Sequence, residues 1–232
     1  MCGRYTNTAG VQELNERFNV PFSGDAGTRR YNIAPTEEVL AIVAPKGAPE
    51  ARLLRWGLVP TWADDVKVAH KMINAKLETV TTRPAYRNLV GRGSRRALQI
   101  ADGYYEWLKP ERPGDRSQRQ PFLFRVDGGA PFAFAALWTP SKVGGEWIES
   151  VVLLTCDASA NPVAASIHDR MPVILADADA QRAWLDDALD ADEALALCGA
   201  LPASRLSAAP ANPALNKPGA EPEGPELLRA PG

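Results

Sequence analysis

The strongest constraint on the fold is a series of apolar runs, each of strand length, at 39–43, 53–59, 97–101, 122–126, 132–138, 147–155 and 173–175. Helical spacing is confined to short stretches. Val11, Leu14 and Phe18 recur at i, i+3 and i+7 behind a candidate Thr8 cap, residues 78–90 read as a helix broken near Pro84, and helical period returns at 180–185 and 191–201. Strands and helices do not alternate as crossover units. The pattern therefore predicts an α+β chain: a single domain with a mostly antiparallel, barrel-like central sheet flanked by short helices. Asp127-Gly128-Gly129 reads as a hairpin turn between two of the runs, and residues 19–30 as a loop. From about residue 207 Pro, Ala, Asn and Gly dominate. This predicts a domain over 1–206 and an extended tail over 207–232.

At 232 residues the chain is long enough to bury a self-sufficient core. No stretch approaches the ~20 apolar residues of a membrane helix. The opening MCGRYTNTAG has no apolar run of the signal-peptide kind, so a cytoplasmic location, nucleoid-associated in a bacterium, is expected. Three cysteines (Cys2, Cys156, Cys198) without a CxxC, and two histidines (His70, His168), suit neither a disulfide framework nor a closed zinc site; no metal and no cofactor are expected. Cys156 and Cys198 lie in apolar patterns and read as buried structural thiols. The net charge is −2, yet residues 1–100 carry 15 Lys/Arg against 9 Asp/Glu, and residues 101–232 carry 11 against 19. A basic half keeps a nucleic-acid partner open, because phosphate binding depends on a local patch.

Cys2 follows the initiator directly, and its small side chain permits removal of Met1. Removal leaves an α-amine, with a reference pKa of about 7.7–8.0, on the same residue as a thiol of about 8.5. A 1,2-aminothiol condenses with an aldehyde through its amine, and its thiol then closes a thiazolidine ring. Alternatively the thiol attacks an amide while the amine acts as base.

Six ordered segments surround this residue in sequence: MCGRY at 1–5, YNIAP at 31–35, RWGLVPTW at 55–62, INAKLET at 73–79, ADGYYEW at 101–107 and IHDRMP at 167–172. Their order and spacing closely resemble the SRAP family, the SOS-response-associated peptidases or abasic-site processing proteins. The resemblance runs from residue 2 to about 176, with a family-like GPELL ending at 224–228. It implies one compact domain with a DNA groove over a central sheet. It also implies covalent capture of abasic sites in single-stranded DNA through the N-terminal cysteine. The ring-opened abasic sugar is an aldehyde, the natural partner of the aminothiol, and capture would shield the lesion from strand cleavage.

By that resemblance Cys2, Asn74, Glu106 and His168 are the catalytic set. A carboxylate among aromatics can exchange protons near neutrality, as can histidine, and the asparagine amide can orient a sugar hydroxyl or an imine. DNA contact is expected from Arg4, Lys76, Arg83, Thr155 and Arg170, with Arg87, Arg92, Arg95 and Arg96 as a further basic stretch, and with Pro35 and Trp62 as apolar supports at a strand junction. Lys76 stands where the family often has Arg, so the bidentate fork is lost there while the charge remains. Ala63 follows Trp62 where some relatives carry a second aromatic. The family's peptidase label is read as processing of the N-terminal Met, alongside lyase- or hydrolase-type chemistry on the lesion, and a monomer is expected. The alternative is an N-terminal-nucleophile amidohydrolase of the glutamine amidotransferase kind, which shares an MCG start but normally has an apolar residue where this chain has Arg4; ammonia release from glutamine separates the two. A third reading is a single-strand-binding module that uses the basic half alone, in which Cys2 is dispensable.

Overall fold

A computed structural model of the chain describes residues 2–23, 28–108, 120–216 and 223–231. In chain order these form β1 (Arg4–Asn7), α1 (Val11–Phe18), β2 (Arg30–Ile33), β3 (Glu38–Val43), β4 (Glu50–Trp56), β5 (Asn74–Lys76), α2 (Arg87–Val90), β6 (Arg96–Ala101), β7 (Gly103–Trp107), β8 (Pro121–Val126), β9 (Phe132–Val143), β10 (Glu146–Asp157), α3 (Pro162–Ala165), β11 (Arg170–Pro172), β12 (Ile174–Leu175), α4 (Ala178–Leu185), α5 (Ala191–Leu195) and β13 (Leu206–Pro210). Single 3₁₀ turns fill several connections, among them Val66–Lys71 and Leu77–Thr79. None of the described helices is long and apolar enough to cross a membrane.

The sheet expected from the apolar runs closes on itself. β4, β3, β6, β9 and β10 pair antiparallel in that order, and β10 then meets β4 in parallel through Ser150↔Arg55 and Val151↔Trp56. The result is a closed five-stranded barrel, which leaves no free edge within the ring. β5, β11 and β12 extend it from β10 and β9. A second, wholly antiparallel sheet runs β13-β8-β7-β1-β2. The chain passes from barrel to sheet across Asp102, between β6 and β7. An aromatic cluster joins the two: Tyr5 meets Trp56 edge-on at 5.2 Å and Phe134 at 5.7 Å, and Tyr104 stacks on Phe124 at 4.7 Å. Such pairs each add about 0.5–1.5 kcal/mol beyond their buried area.

Four expectations are corrected. Asp127, Gly128 and Gly129 all take left-handed backbone, but the turn carries the chain between sheets: β8 pairs with β7 and β13, and β9 with β6, β10 and β12. β9 instead forms a hairpin with β10, turned by Gly144 and Gly145 at φ 59° and 93°. Thr8 does not cap α1; its N–H and hydroxyl both bond the Asp102 carboxylate, and Gly10 precedes the helix without a side-chain cap. Helical period over 78–90 yields only the Leu77–Thr79 turn and α2, and that over 191–201 only α5. The tail does not begin at 207, because β13 pairs along β8 from Leu206↔Val126 to Pro210↔Phe122. Beyond it Leu215 and Leu227 are buried against Tyr105 and Leu123, covering the outer face of the second sheet.

Candidate active site

The N-terminal residues are positioned by β1, which lies between β2 and β7 in the second sheet. Asp102 fastens it there. Its carboxylate accepts from the Thr6 hydroxyl at 2.5 Å and the Thr8 N–H at 2.6 Å, and its own N–H donates to the Thr6 carbonyl at 2.9 Å. Gly103 makes this approach possible, since a Cβ there would stand 2.8 Å from the Thr6 hydroxyl. The ADGYYEW segment is therefore first a clamp on the chain's beginning.

Side chains alternate along β7. Tyr105 and Trp107 pack toward the C-terminal leucines, whereas Tyr104 joins the barrel-side core. Glu106, two residues after Tyr104, shares that inner face and is 3% exposed. Burial raises its carboxyl above the usual range. Cys2 is fully buried nearby. Burial pushes its thiol far up, with the Glu106 charge as the next contribution, so the sulfur is held as the neutral thiol.

Asn74 begins β5, which docks in parallel on β10 through Leu153↔Asn74 and Thr155↔Lys76. Its Nδ2 donates to the Cys2 carbonyl at 2.9 Å. Its Oδ1 is buried without a partner. The amide therefore holds the backbone of Cys2 and keeps an acceptor in reserve.

His168 lies between α3 and β11, half-buried. The Arg170 N–H donates to its Nδ1 at 2.9 Å, an arrangement that leaves the imidazole proton on Nε2. Asp169 Oδ1 lies 2.9 Å from the same Nδ1, a contact that is favourable only when Nδ1 carries a proton. Nδ1 thus has two competing neighbours, a donor in the Arg170 N–H and an acceptor in the Asp169 carboxylate. The histidine loop also carries Asp169, whose charge adds a minor contribution to raising the Glu106 carboxyl.

The residues expected to touch DNA divide into two groups. Trp62 is 61% exposed, Lys76 and Arg83 are exposed, and Pro35 is half-buried between β2 and β3. Trp62, Lys76 and Arg83 line one cavity with Asn74. Arg4 is half-buried beside the Cys2 backbone, its Nη1 donating to the Gly3 carbonyl at 3.0 Å. The other group faces inward. Thr155 is fully buried, and its hydroxyl donates to the Ala75 carbonyl at 3.4 Å. Arg170 is committed to Glu78 by two bonds of 2.6 and 3.0 Å and to the Thr155 carbonyl at 2.5 Å. Arg96 is also fully buried, with all three guanidinium nitrogens on backbone carbonyls, so it leaves the basic stretch formed by Arg87, Arg92 and Arg95.

Glu78 has no sequence-derived role, although it lies inside the INAKLET segment. Its pairing with Arg170 holds its carboxyl below the usual range, and its Oε1 also accepts the Asp157 N–H at 3.2 Å. It thereby ties the start of β11, and so the His168 loop, to β10. The Tyr104 hydroxyl is buried without a partner, and the Tyr5 hydroxyl faces the Gln99 side chain. Met1, whose removal the chemistry requires, lies outside the described residues. Among the described residues no group of three or more His, Cys, Asp or Glu is placed to hold a metal.

Comparisons with known proteins place the chain in a family. The chain is 32% identical over 239 residues to the abasic site processing protein YedK of Escherichia coli, with 99% of each chain covered. It is 35% identical over 189 residues to the abasic site processing protein YoaM of Bacillus subtilis, covering 80% of this chain and 79% of that one. A crystal structure of a protein from Bacteroides thetaiotaomicron superimposes with a TM-score of 0.82 over 99% of this chain and 100% of the other, at 18% identity, and so shares the fold. The family model for the SOS response associated peptidase matches residues 1–218. The closed barrel, the strand that carries Cys2 and the segments around it belong to a member of the SRAP family.

Proposed function

We propose that this chain captures abasic sites in single-stranded DNA by forming a covalent bond through Cys2. The observation that carries the reading is the convergence on one residue: Asn74 holds the Cys2 carbonyl at 2.9 Å, and the charge of buried Glu106 acts on its thiol. Two relatives named as abasic site processing proteins support the substrate class.

Hydrolysis of the Met1–Cys2 bond consumes one water and frees the α-amine. The amine adds to the aldehyde carbon of the ring-opened sugar, and loss of one water gives an imine. Glu106, with its carboxyl raised toward neutrality, carries the protons of this step. The thiol then adds to the imine carbon. Its proton ends on the nitrogen, closing a thiazolidine with no net change in oxidation. Because burial keeps the sulfur protonated, ring closure needs a base at the site, and a carboxylate of raised pKa is better matched to that proton than an ordinary one. Asn74 Oδ1 is the acceptor available to the freed amine. His168 moves protons for ring opening and for reversal of the link. Arg4, Lys76 and Arg83 hold phosphates, while Trp62 and Pro35 support bases where single strand meets duplex.

The test is to mix protein of verified Met1 removal with an oligonucleotide bearing one abasic site. A species stable on a denaturing gel is expected, its intact mass equal to protein plus DNA less one water, and absent for Cys2→Ala. No such species from wild-type protein would overturn the reading.

A further inference from the structure

Glu78 lies in the Leu77–Thr79 turn that directly follows β5, the strand that begins with Asn74. Its carboxylate reaches across to the start of β11. Oε1 accepts from Arg170 Nη1 at 2.6 Å, and Oε2 from Nη2 at 3.0 Å. Oε1 also accepts the Asp157 N–H of β10 at 3.2 Å. A two-pronged carboxylate–guanidinium pair is charge-assisted and fixes direction as well as distance. Arg170 Nη2 donates further to the Thr155 carbonyl at 2.5 Å and hydroxyl at 3.1 Å. The Thr155 hydroxyl in turn donates to the carbonyl of Ala75, the residue after Asn74.

The main chain of the same arginine faces the histidine, its N–H donating to His168 Nδ1 at 2.9 Å. Arg170 therefore meets Glu78 through its side chain and His168 through its backbone. Two other bonds hold the loop, the His168 N–H on the Ala164 carbonyl at 2.9 Å and the Ala158 N–H on the Asp169 carbonyl at 3.0 Å. Both come from the α3 side, whereas Glu78 ties the loop to the turn after Asn74. We infer that Glu78 is a positioning residue: acting through Arg170, it sets where His168 stands relative to Asn74 and Cys2. This inference rests on the proposed part of His168 in capture of abasic DNA and adds the residue that aims it. Displacing a reacting group by about 1 Å can cost about 10²-fold in rate. A half-exposed carboxylate such as Glu78 adds little to global stability, so its effect on the rate is separable from any effect on the fold.

The test is a double-mutant cycle. Crosslinking of an oligonucleotide with one abasic site is timed at saturating protein for wild type, Glu78→Gln, His168→Ala and the double variant, each checked by urea unfolding. Glu78→Gln keeps the size of the side chain and one oxygen, and removes the charge and the second acceptor. It should slow the saturating rate about 10- to 100-fold. Affinity for an oligonucleotide carrying a tetrahydrofuran sugar, which has no aldehyde to react, should stay within about 2-fold. In the His168→Ala background the same substitution should cost less than about 2-fold, because nothing remains to be aimed. An equal penalty in both backgrounds would place the effect of Glu78 elsewhere and overturn the inference. An unchanged rate in Glu78→Gln would make the ion pair a brace and nothing more. Lost affinity with an unchanged saturating rate would show the pair to serve DNA binding instead. Should Glu78→Gln fail to fold, Glu78→Asp, which keeps the charge and shortens the reach by one carbon, goes through the same cycle with the same expected pattern. If wild-type protein forms no crosslink, the reading of Cys2 fails; if His168→Ala reacts at the wild-type rate, the role of His168 fails and this inference with it.

Discussion

Arg96 and Cys2 are both fully buried polar residues, and their surroundings differ in kind. Arg96 donates to the carbonyls of Trp184 at 2.5 Å, Val90 at 2.8 Å, Leu189 at 3.2 Å and Asp186, fixing the loop that follows α4 to the start of β6. Around Cys2 the Tyr104 hydroxyl and Asn74 Oδ1 are buried without partners, while the Tyr5 hydroxyl has only the Gln99 side chain. An unmade buried hydrogen bond costs about 1–3 kcal/mol, so a region holding such groups lowers stability. Buried polar groups that are fully satisfied brace a fold, whereas buried polar groups left with spare capacity mark where a substrate completes the set.

Three substitutions test this contrast. Arg96→Leu should destabilise the protein by about 3–5 kcal/mol, read from urea unfolding, because several carbonyls lose their donor at once. Its crosslinking rate per folded molecule should stay unchanged. A small effect on unfolding would mean that the carbonyl cluster is solvated instead. Glu106→Gln should slow crosslinking about 10²-fold while the fold persists. Its stability has a definite sign. A carboxyl raised on folding holds its proton more tightly folded than unfolded, so its contribution is full below the unfolded value near 4.3 and is lost as pH rises through the folded one. Gln does not ionise, and the variant should gain on wild type as pH rises from the unfolded value through the folded one. A variant that loses stability over that range would show the carboxylate to be structural. Tyr104→Phe removes a hydroxyl with no partner. It should change stability by less than about 1 kcal/mol, and in the stabilising direction if the group is idle. A loss of 2 kcal/mol or more would reveal a bond that the hydroxyl makes in solution.

The barrel strands were readable because each is an apolar run of strand length, and a barrel-like sheet was expected from them. The strand order was not readable, because the parallel β4–β10 pairing that closes the ring joins residues far apart in the chain and leaves no local trace in either. Asp127-Gly128-Gly129 has hairpin chemistry, yet whether neighbouring strands pair is decided by the sheets they join. Thr8 looked like a cap because its competitor, Asp102, is distant in sequence. Leu215 and Leu227 are isolated among Pro and Ala, so no periodicity announces their burial. Arg96 sits in a basic run, and only the unbroken apolar stretch that follows it hints that it points inward. At the site, the aminothiol could be derived from Cys2 alone. The resemblance singled out Asn74, Glu106 and His168, and no spacing could have brought them together. Glu78 was missed because an acid far in sequence from the arginine it pairs with carries no mark of that pairing.

The β4–β10 closure also sets a timetable. Cys2 is among the first residues to leave the ribosome, whereas His168 is added ~10–30 s later at ordinary rates of synthesis. β10, which seats Asn74, does not exist while the chain is half made. On the proposed chemistry, a nascent chain thus carries Cys2 without the groups that would direct it until the later strands are in place.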